Sequence, residues 1–175
     1  AAGADILDIG GESTRPGALP VSVDEECGRV VPVIASLSQE GAIVSIDSRR
    51  AKVMAEAFSA GAAIVNDVSA LTEDSDAIQL ISKSGMSVVL SHMQGEPYNM
   101  QNNPTYTVAS EEICEYLASR INTCEVSGIP RARIAVDPGI GFGKTLDHNL
   151  EIIANIDTYH GLNCALVIGV SRKSF

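Results

Sequence analysis

Short apolar runs alternate along the chain with longer segments in which apolar residues recur every three or four positions. The runs occupy residues 6–9, 43–46, 63–65, 87–90, 134–136 and 165–169. Their length and their content of Val, Ile and Leu are typical of buried β-strands. The pattern therefore predicts about six strands, each separated from the next by a helical segment or a loop.

Amphipathic helices are predicted between these strands. The first begins at Ser22, which forms a candidate capping box with Glu25, and it ends before Gly41. Pro32 lies inside this helix and is expected to kink it. The other predicted helices cover residues 50–60, 74–84, 111–127 and 148–159. Residues 94–107 have turn residues throughout, so we expect one long loop there, of a length often found in functional lids.

Each apolar run ends in polar groups. They are Asp8, Asp47, Asn66 with Asp67, His92, Asp137, and Ser171 with Arg172 and Lys173. Alternating strands and helices predict an α/β fold with a parallel sheet. Ligands of such folds collect at the carboxyl ends of the strands, around a barrel rim or at the switch point of an open sheet. Asp8 and Asp67 could instead serve only as caps or turn residues.

The segment 137–144 combines a carboxylate, three glycines and a lysine directly after a strand. Its glycines permit unusual backbone conformations and close approach of a ligand. It does not match a phosphate-binding loop, because Pro138 occupies the position of the required first glycine, and its glycines lack the dinucleotide spacing. Two interpretations stay open, a ligand site and a turn that is rich in glycine for steric reasons alone.

The net charge of −10 argues against a general nucleic-acid binder, because such proteins use surplus Lys and Arg to neutralise phosphates. Six of the 12 basic residues nevertheless fall just after apolar runs. They are Arg15, Arg49, Arg50, Lys144, Arg172 and Lys173. Cations gathered at the strand ends of an acidic protein indicate a site for a small anion.

A chain of 175 residues with 45% hydrophobic content predicts one globular domain. No stretch approaches the roughly 18 apolar residues of a membrane span, and the N-terminus lacks a signal-peptide pattern. Cys27, Cys114, Cys124 and Cys164 show no metal-ligand spacing, which favours reduced thiols and a cytoplasmic location. The start at Ala1 without a methionine suggests a fragment.

Three strand-end groups suit a planar heterocycle with donors and acceptors along its edge. They are Asp47, Asn66 and Asp137. A carboxylate can accept two parallel hydrogen bonds from an adjacent ring N–H and amino group. Arg15, Arg172 and Lys173 would then meet anionic substituents. Phe142 would cover a ring or simply plug the end of a barrel.

Taken together, the polar segments resemble the dihydropteroate synthases. They are residues 8–17, 46–48, 65–68, 91–95, 137–144 and 168–174. Their order and spacing fit across essentially the whole chain. GESTRPG, DPGIGFGK and SRKS in combination are highly specific, whereas each motif alone is weaker.

The resemblance implies a (β/α)8 TIM barrel, here a partial barrel of about six β/α units. It implies an enzyme of folate biosynthesis, a sulfonamide target, that condenses 6-hydroxymethyl-7,8-dihydropterin diphosphate with p-aminobenzoate to give 7,8-dihydropteroate and diphosphate. It also implies Mg²⁺ as cofactor and a homodimer for the full-length protein, with small-molecule substrates and no nucleic-acid or membrane partner.

The matched motifs imply residue roles as well. The pterin-binding set is Asp47, Asn66, Met93, Asp137, Gly169 and Lys173. The set for p-aminobenzoate and diphosphate is Thr14, Arg15, Pro16, Phe142 and Ser171. Lys173, Arg15 and Asp47 are the candidate catalytic residues. No metal ligand is expected within this chain, and Lys144 is expected only to steady its turn.

Residues 1–175 are thus expected to form a single pterin-binding domain that lacks the first strand of the family's barrel and its C-terminal end. We expect the isolated chain to be unstable and inactive, because strand edges would stay unpaired. Three other readings remain: a pterin-binding methyltransferase that passes a methyl group to a corrinoid, a non-catalytic pterin- or phosphate-binding paralogue, and a structural domain that binds no ligand.

Overall fold

The structure, a computed structural model, describes residues 3–13, 19–171 and 173. Strands in this part lie at Ile6–Gly10 (β1), Ile43–Asp47 (β2), Ile64–Asp67 (β3), Ser87–Ser91 (β4), Ile134–Asp137 (β5) and Ala165–Leu166 (β6). The α-helices span Val23–Gln39 (α1), Ala51–Ser59 (α2), Ala77–Ser84 (α3), Ala109–Val126 (α4) and Leu146–Ala154 (α5). Short 3-10 helices cover Arg131–Arg133 and Ile156–Leu162.

The strands form one parallel sheet in the order β1-β2-β3-β4-β5-β6. An open doubly wound sheet reverses its strand order at a switch point, whereas successive β/α units of a barrel follow one another around it. The sequential order therefore decides between the two arrangements that the sequence left open. The six strands of the described residues are a partial barrel.

The two faces of the sheet differ in chemistry. Apolar side chains on one face join those of the helices in a single core, and the fully buried ones are Val44, Ile46, Val65, Val88, Leu90 and Val136. Side chains alternate between the faces along a strand. The opposite face therefore carries the polar side chains of Asp8, Asp47, Asn66 and Asp137.

The helices follow the predicted periodicity. In α4 the predicted apolar face is buried, and it consists of Ile113, Leu117, Ile121 and Cys124. The Ser22 hydroxyl caps α1 by accepting a bond from the Glu25 N–H at 3.2 Å, whereas the Glu25 carboxylate pairs with Arg29. The helix continues through Pro32 to Gln39. None of the described helices is long and apolar enough to span a membrane.

Three predicted boundaries were wrong. α3 starts at Ala77 instead of residue 74, because the Asp74 carboxylate accepts bonds from the N–H groups of Ala51 and Asp76. The helix predicted at 148–159 is α5 followed by a 3-10 helix, because the Asn155 side chain bonds back to the Glu151 carbonyl at 2.8 Å. β6 covers only Ala165–Leu166 of the predicted run 165–169.

Candidate functional site at the carboxyl ends of the strands

Strand register brings the first two predicted ring-binding groups side by side. Asp47 and Asn66 are partners in the β2–β3 pair, so their Cα atoms are about one strand spacing, roughly 4.8 Å, apart. Asp137 is the partner of Ser91 and lies two residues beyond the level of Asn66. All three of the predicted groups therefore lie on the same face and at the same end of the sheet.

Asp67 lies on the other face and has a structural role. Its Oδ1 accepts bonds from the Ser69 N–H and hydroxyl, both at 2.7 Å, and its Oδ2 accepts one from the Leu71 N–H at 2.9 Å. This carboxylate holds a turn in which Ala70 and Leu71 have φ values of 53° and 59°. Non-glycine residues seldom adopt that conformation, so the alternative of a turn residue applies to Asp67.

Asp8 stays on the candidate-site face, where its Oδ2 accepts a bond from the Asn66 amide at 2.9 Å. This bond orients the amide and leaves its carbonyl oxygen as an acceptor. It also places a second carboxylate near Asp47. Burial, followed by the charges of Asp8, Asp67 and Glu26, raises the pKa of Asp47 to about 7, with Arg49 acting in the opposite direction. An N–H donor pair from a ligand would favour the ionised form.

The glycine-rich loop is shaped by close packing within the protein. Gly139, Gly141 and Gly143 have φ values of 71°, 81° and 61°. A Cβ atom on Gly139 would lie 1.9 Å from the His92 carbonyl oxygen, and one on Gly143 would lie 2.4 Å from the Gln94 carbonyl oxygen. The backbone that approaches these glycines is therefore the segment after β4, which supports the steric interpretation of the turn.

Hydrogen bonds within the protein hold this loop. The Gly139 N–H donates to Asp137 Oδ1 at 2.7 Å, and the Gly141 N–H donates to Asn149 Oδ1 at 2.8 Å. The carbonyls of Gly141 and Gly143 accept bonds from the side chains of Gln101 and Tyr106, each at 2.8 Å. Two of the glycine amides are thus already committed, and the loop is not an anion cradle.

Gln101 and Tyr106 belong to the long loop, so that loop fastens the glycine turn in place. Neither was singled out from the sequence. Both lie about 40 residues away along the chain, since the two bonds join residues separated by 40 and 37 positions. The loop is itself tied by two bonds between the Gln94 side chain and the Thr105 backbone.

Phe142 and Lys173 meet above the end of β5. The Lys173 ammonium lies 4.3 Å from the centre of the Phe142 ring, a cation–π distance. Burial lowers the pKa of Lys173, and the nearby Asp137 carboxylate acts against that shift. Burial also raises the pKa of Asp137, against the Gly139 N–H and the amines of Lys173 and Lys144. One carboxylate, one ring and one cation from the predicted set are therefore close together.

Lys144 is buried beside His92, a pairing that no local sequence pattern predicts. Its Nζ lies 3.0 Å from His92 Nδ1, 3.2 Å from the His92 carbonyl oxygen and 2.9 Å from the Phe142 carbonyl oxygen. Burial and the Lys144 charge lower the pKa of His92 to about 3, so the imidazole is neutral. Burial lowers the pKa of Lys144 to about 7.

The expectation that Arg49 and Arg50 serve an anion site was wrong. Arg49 pairs with Glu12 and Glu73, and Arg50 pairs with Glu12 and Glu26. Two guanidinium groups thus face three carboxylates, so the cluster carries no surplus positive charge. Glu12 also accepts the Val21 N–H at 3.0 Å, which ties the segment after β1 to the start of α1.

The remaining predicted residues are dispersed or outside the described ranges. Thr14, Arg15, Pro16 and Arg172 lie outside the described residues. Met93 is half-buried and lines a cavity of about 200 Å³ with Ser69 and Tyr116. Gly169 and Ser171 are exposed after β6. Within residues 3–13, 19–171 and 173, no group of three His, Cys, Asp or Glu side chains could hold a metal ion.

Comparison with known proteins identifies the family of this chain. The family model for "Pterin binding enzyme" matches residues 1–175, the entire chain. The chain belongs to the pterin binding enzyme family. Among curated members, dihydropteroate synthase of Escherichia coli K12 is 42% identical over 174 residues, which cover 99% of this chain and 61% of the E. coli protein. The chain therefore spans about six tenths of that relative's length.

Solved structures of this family give the same result for the fold. A dihydropteroate synthase of Yersinia pestis in a sulfonamide drug complex superposes with a TM-score of 0.96 at 43% identity, covering 99% of this chain and 63% of that one. The Xanthomonas albilineans dihydropteroate synthase in complex with 7,8-dihydropteroate gives a TM-score of 0.87 at 37% identity, covering 98% of this chain and 61% of that one. The predicted α/β partial barrel is confirmed.

Proposed function

We propose that the full-length protein containing this chain is a dihydropteroate synthase, which joins 6-hydroxymethyl-7,8-dihydropterin diphosphate to p-aminobenzoate. One observation carries the proposal: Asp47, Asn66 and Asp137 share one face and one end of the sheet, with Phe142 and Lys173 beside Asp137. The similarity to dihydropteroate synthases, one of them solved with 7,8-dihydropteroate, supports it.

The strand-end groups would read the pterin ring. A pterin presents an amino group next to a ring N–H, and a carboxylate accepts both in parallel. Asp137 is partly oriented for this role, because the Gly139 N–H fixes its Oδ1. The Asn66 amide, which donates to Asp8, would offer its carbonyl oxygen to a further donor. Charged hydrogen bonds of this kind contribute about 1.5–3 kcal/mol each.

The reaction needs no nucleophile from the protein. The C–O bond from the pterin methylene carbon to diphosphate breaks, the arylamine nitrogen forms the new C–N bond, and the amine loses a proton. Positive charge that develops on the methylene carbon is shared by the electron-rich dihydropterin. Within the proposal, this chain's residues orient the two reactants, while Lys173 and Arg15 counter the negative charge of the departing diphosphate.

Mg²⁺ belongs to the proposal only for the full-length protein. A divalent cation would neutralise the diphosphate and prefers oxygen ligands. The described residues offer no cluster of such ligands, so other residues or the substrate itself would hold the ion. We also propose a cytoplasmic homodimer that acts on small molecules.

A condensation assay on the full-length protein tests the proposal. Both substrates and Mg²⁺ are supplied, and dihydropteroate and diphosphate are measured by mass spectrometry and a coupled assay. Asp137→Asn should abolish pterin binding in calorimetry, because an amide cannot accept both hydrogen bonds. Asp157→Asn, at an exposed aspartate on the helical side, is the matched control and should leave affinity unchanged.

The rival functions give different results in the same experiment. Methyl transfer from a methylated pterin to a corrinoid without condensation would establish the methyltransferase. Tight pterin binding without either reaction would establish a non-catalytic binder. Unchanged affinity in Asp137→Asn would refute the assigned role of that carboxylate.

A further inference from the structure

Lys144 is a buried amine held by three acceptors. The residue is 3% exposed. The His92 Nδ1, the His92 carbonyl oxygen and the Phe142 carbonyl oxygen lie at 3.0, 3.2 and 2.9 Å from its nitrogen, which matches the three N–H bonds of the amine in its protonated form. Burying an amine is costly unless such acceptors are present. The arrangement therefore depends on these contacts.

The three contacts join two separate segments. His92 directly follows β4, and its N–H donates to the Asp137 carbonyl at 3.0 Å, so this end of the contact is continuous with the sheet. Phe142 lies in the glycine loop, and its ring contacts the Lys173 ammonium at 4.3 Å. Lys144 thus connects the rigid sheet to the loop that carries the Phe142–Lys173 pair.

The glycine loop depends on the Lys144 contacts for its position more than the strand-end residues do. Asp47, Asn66 and Asp137 are positioned by strand pairing. The Phe142 backbone is instead held by its own N–H, which donates to the Gly139 carbonyl within the loop at 3.0 Å, and by the Lys144 amine. Of these two bonds, only the second ties Phe142 to the end of β4.

We propose that Lys144 is a positioning residue that fixes the Phe142–Lys173 pair relative to the strand-end carboxylates. The proposal rests on the proposed function, because an aromatic ring beside a cation suits an aromatic carboxylate such as p-aminobenzoate. Lys144 would thus set the place of the second substrate, while the strands set the place of the pterin.

The first test measures local order in the ligand-free, full-length protein. Lys144→Met keeps the apolar part of the side chain up to Cε but removes the donors. Amide hydrogen exchange should accelerate at least about tenfold in residues 139–144 and stay unchanged in residues 43–47, because the loop would lose its bonds to β4. Lys52→Met, at an exposed lysine paired with Asp24, is the control and should change neither segment.

The second test measures both substrates. In Lys144→Met the KM for p-aminobenzoate should rise at least about tenfold, because small displacements of the groups that position a substrate have effects of this size. The calorimetric Kd for the dihydropterin diphosphate should stay within about threefold, since strand pairing holds its carboxylates. A general structural defect would instead weaken both substrates equally and accelerate exchange throughout the protein.

Substitutions at His92 test the same contact without changing the lysine. Asn places an acceptor oxygen where His92 Nδ1 lies, two bonds from Cβ, whereas Leu places a methyl group there. His92→Asn should keep loop protection and the KM for p-aminobenzoate near the wild-type values, and His92→Leu should resemble Lys144→Met. If Lys144→Met does not fold, the comparison of His92→Asn with His92→Leu still tests whether the contact between Lys144 and His92 positions the loop.

Unchanged exchange in residues 139–144 of Lys144→Met, or identical behaviour of His92→Asn and His92→Leu, would overturn the inference. An equal change in the two substrates would do the same. The failure of the proposed function has a different signature: the wild-type protein would form no dihydropteroate, while the exchange measurements would still report on the contact between the loop and β4.

Discussion

The ionised carboxylate of Asp47 should destabilise the ligand-free protein. Burial and the carboxylates around it raise its pKa from an ordinary value of 3.8 to about 7. The folded protein then holds this proton more tightly than the unfolded chain does. The contribution of Asp47 to the free energy of unfolding is therefore greatest below about pH 4 and is lost as the pH rises to about 7.

The magnitude follows from the shift. A change of about three pKa units at about 1.4 kcal/mol each gives an upper limit of about 4 kcal/mol. Asp47 is only half-buried, and solvent screening lowers this to about 1–3 kcal/mol. Asp47→Asn has the same shape but no charge. It should match the wild type at pH 4 and be more stable by that amount at pH 8.

Urea unfolding of the full-length wild type and Asp47→Asn between pH 4 and pH 8 measures this difference. Calorimetry with the pterin substrate should show that the stabilised variant has lost affinity, because its amide cannot accept two N–H bonds. Asp157→Asn is the control for the loss of an exposed carboxylate. A difference in unfolding free energy that does not vary with pH would refute the reasoning.

Two further substitutions separate structural from functional acids and cations. Asp67→Asn should lower the free energy of unfolding, measured in urea, by about 1–3 kcal/mol, because its amide N–H₂ would face a backbone N–H. Its pterin affinity should be unchanged. A loss of affinity without a loss of stability would contradict the turn role. Arg15→Ala should spare pterin binding in calorimetry but weaken diphosphate-dependent turnover, and equal losses of both would contradict the assigned division of roles.

The strands and the candidate acids were accessible from the sequence because both follow from short-range patterns. Alternation along a strand puts Asn66 and Asp67 on opposite faces, and an apolar run marks where each strand ends. The register that sets Asn66 beside Asp47 is a long-range property, as is the identity of the face that the helices cover. Alternation alone could not say which of the two residues faces a ligand.

Charge pairing was the part that the sequence could not supply. Arg49 and Arg50 follow a strand and look available, yet their partner Glu12 lies 37 and 38 positions away. Lys144 and His92 are separated by 52 positions. No local signal connects such residues, because the barrel topology alone brings the end of one strand next to the loop after another.

Arg49, Arg50 and Lys144 are each held by partners within the protein, so the remaining cations can be compared by where they lie. Among the cations that the structure describes after strand ends, Arg49 and Arg50 are neutralised and Lys144 is buried, which leaves Lys173 beside Asp137. The groups proposed to bind the ring are on paired strands, whereas Lys173 is on a segment that follows a strand. Ring-binding groups on paired strands need no rearrangement when the pterin binds, whereas a cation on a loop can move towards the diphosphate as it leaves. The proposed role of Lys144 follows the same division, because its contacts with His92 and Phe142 join the loop that carries Phe142 to the end of β4.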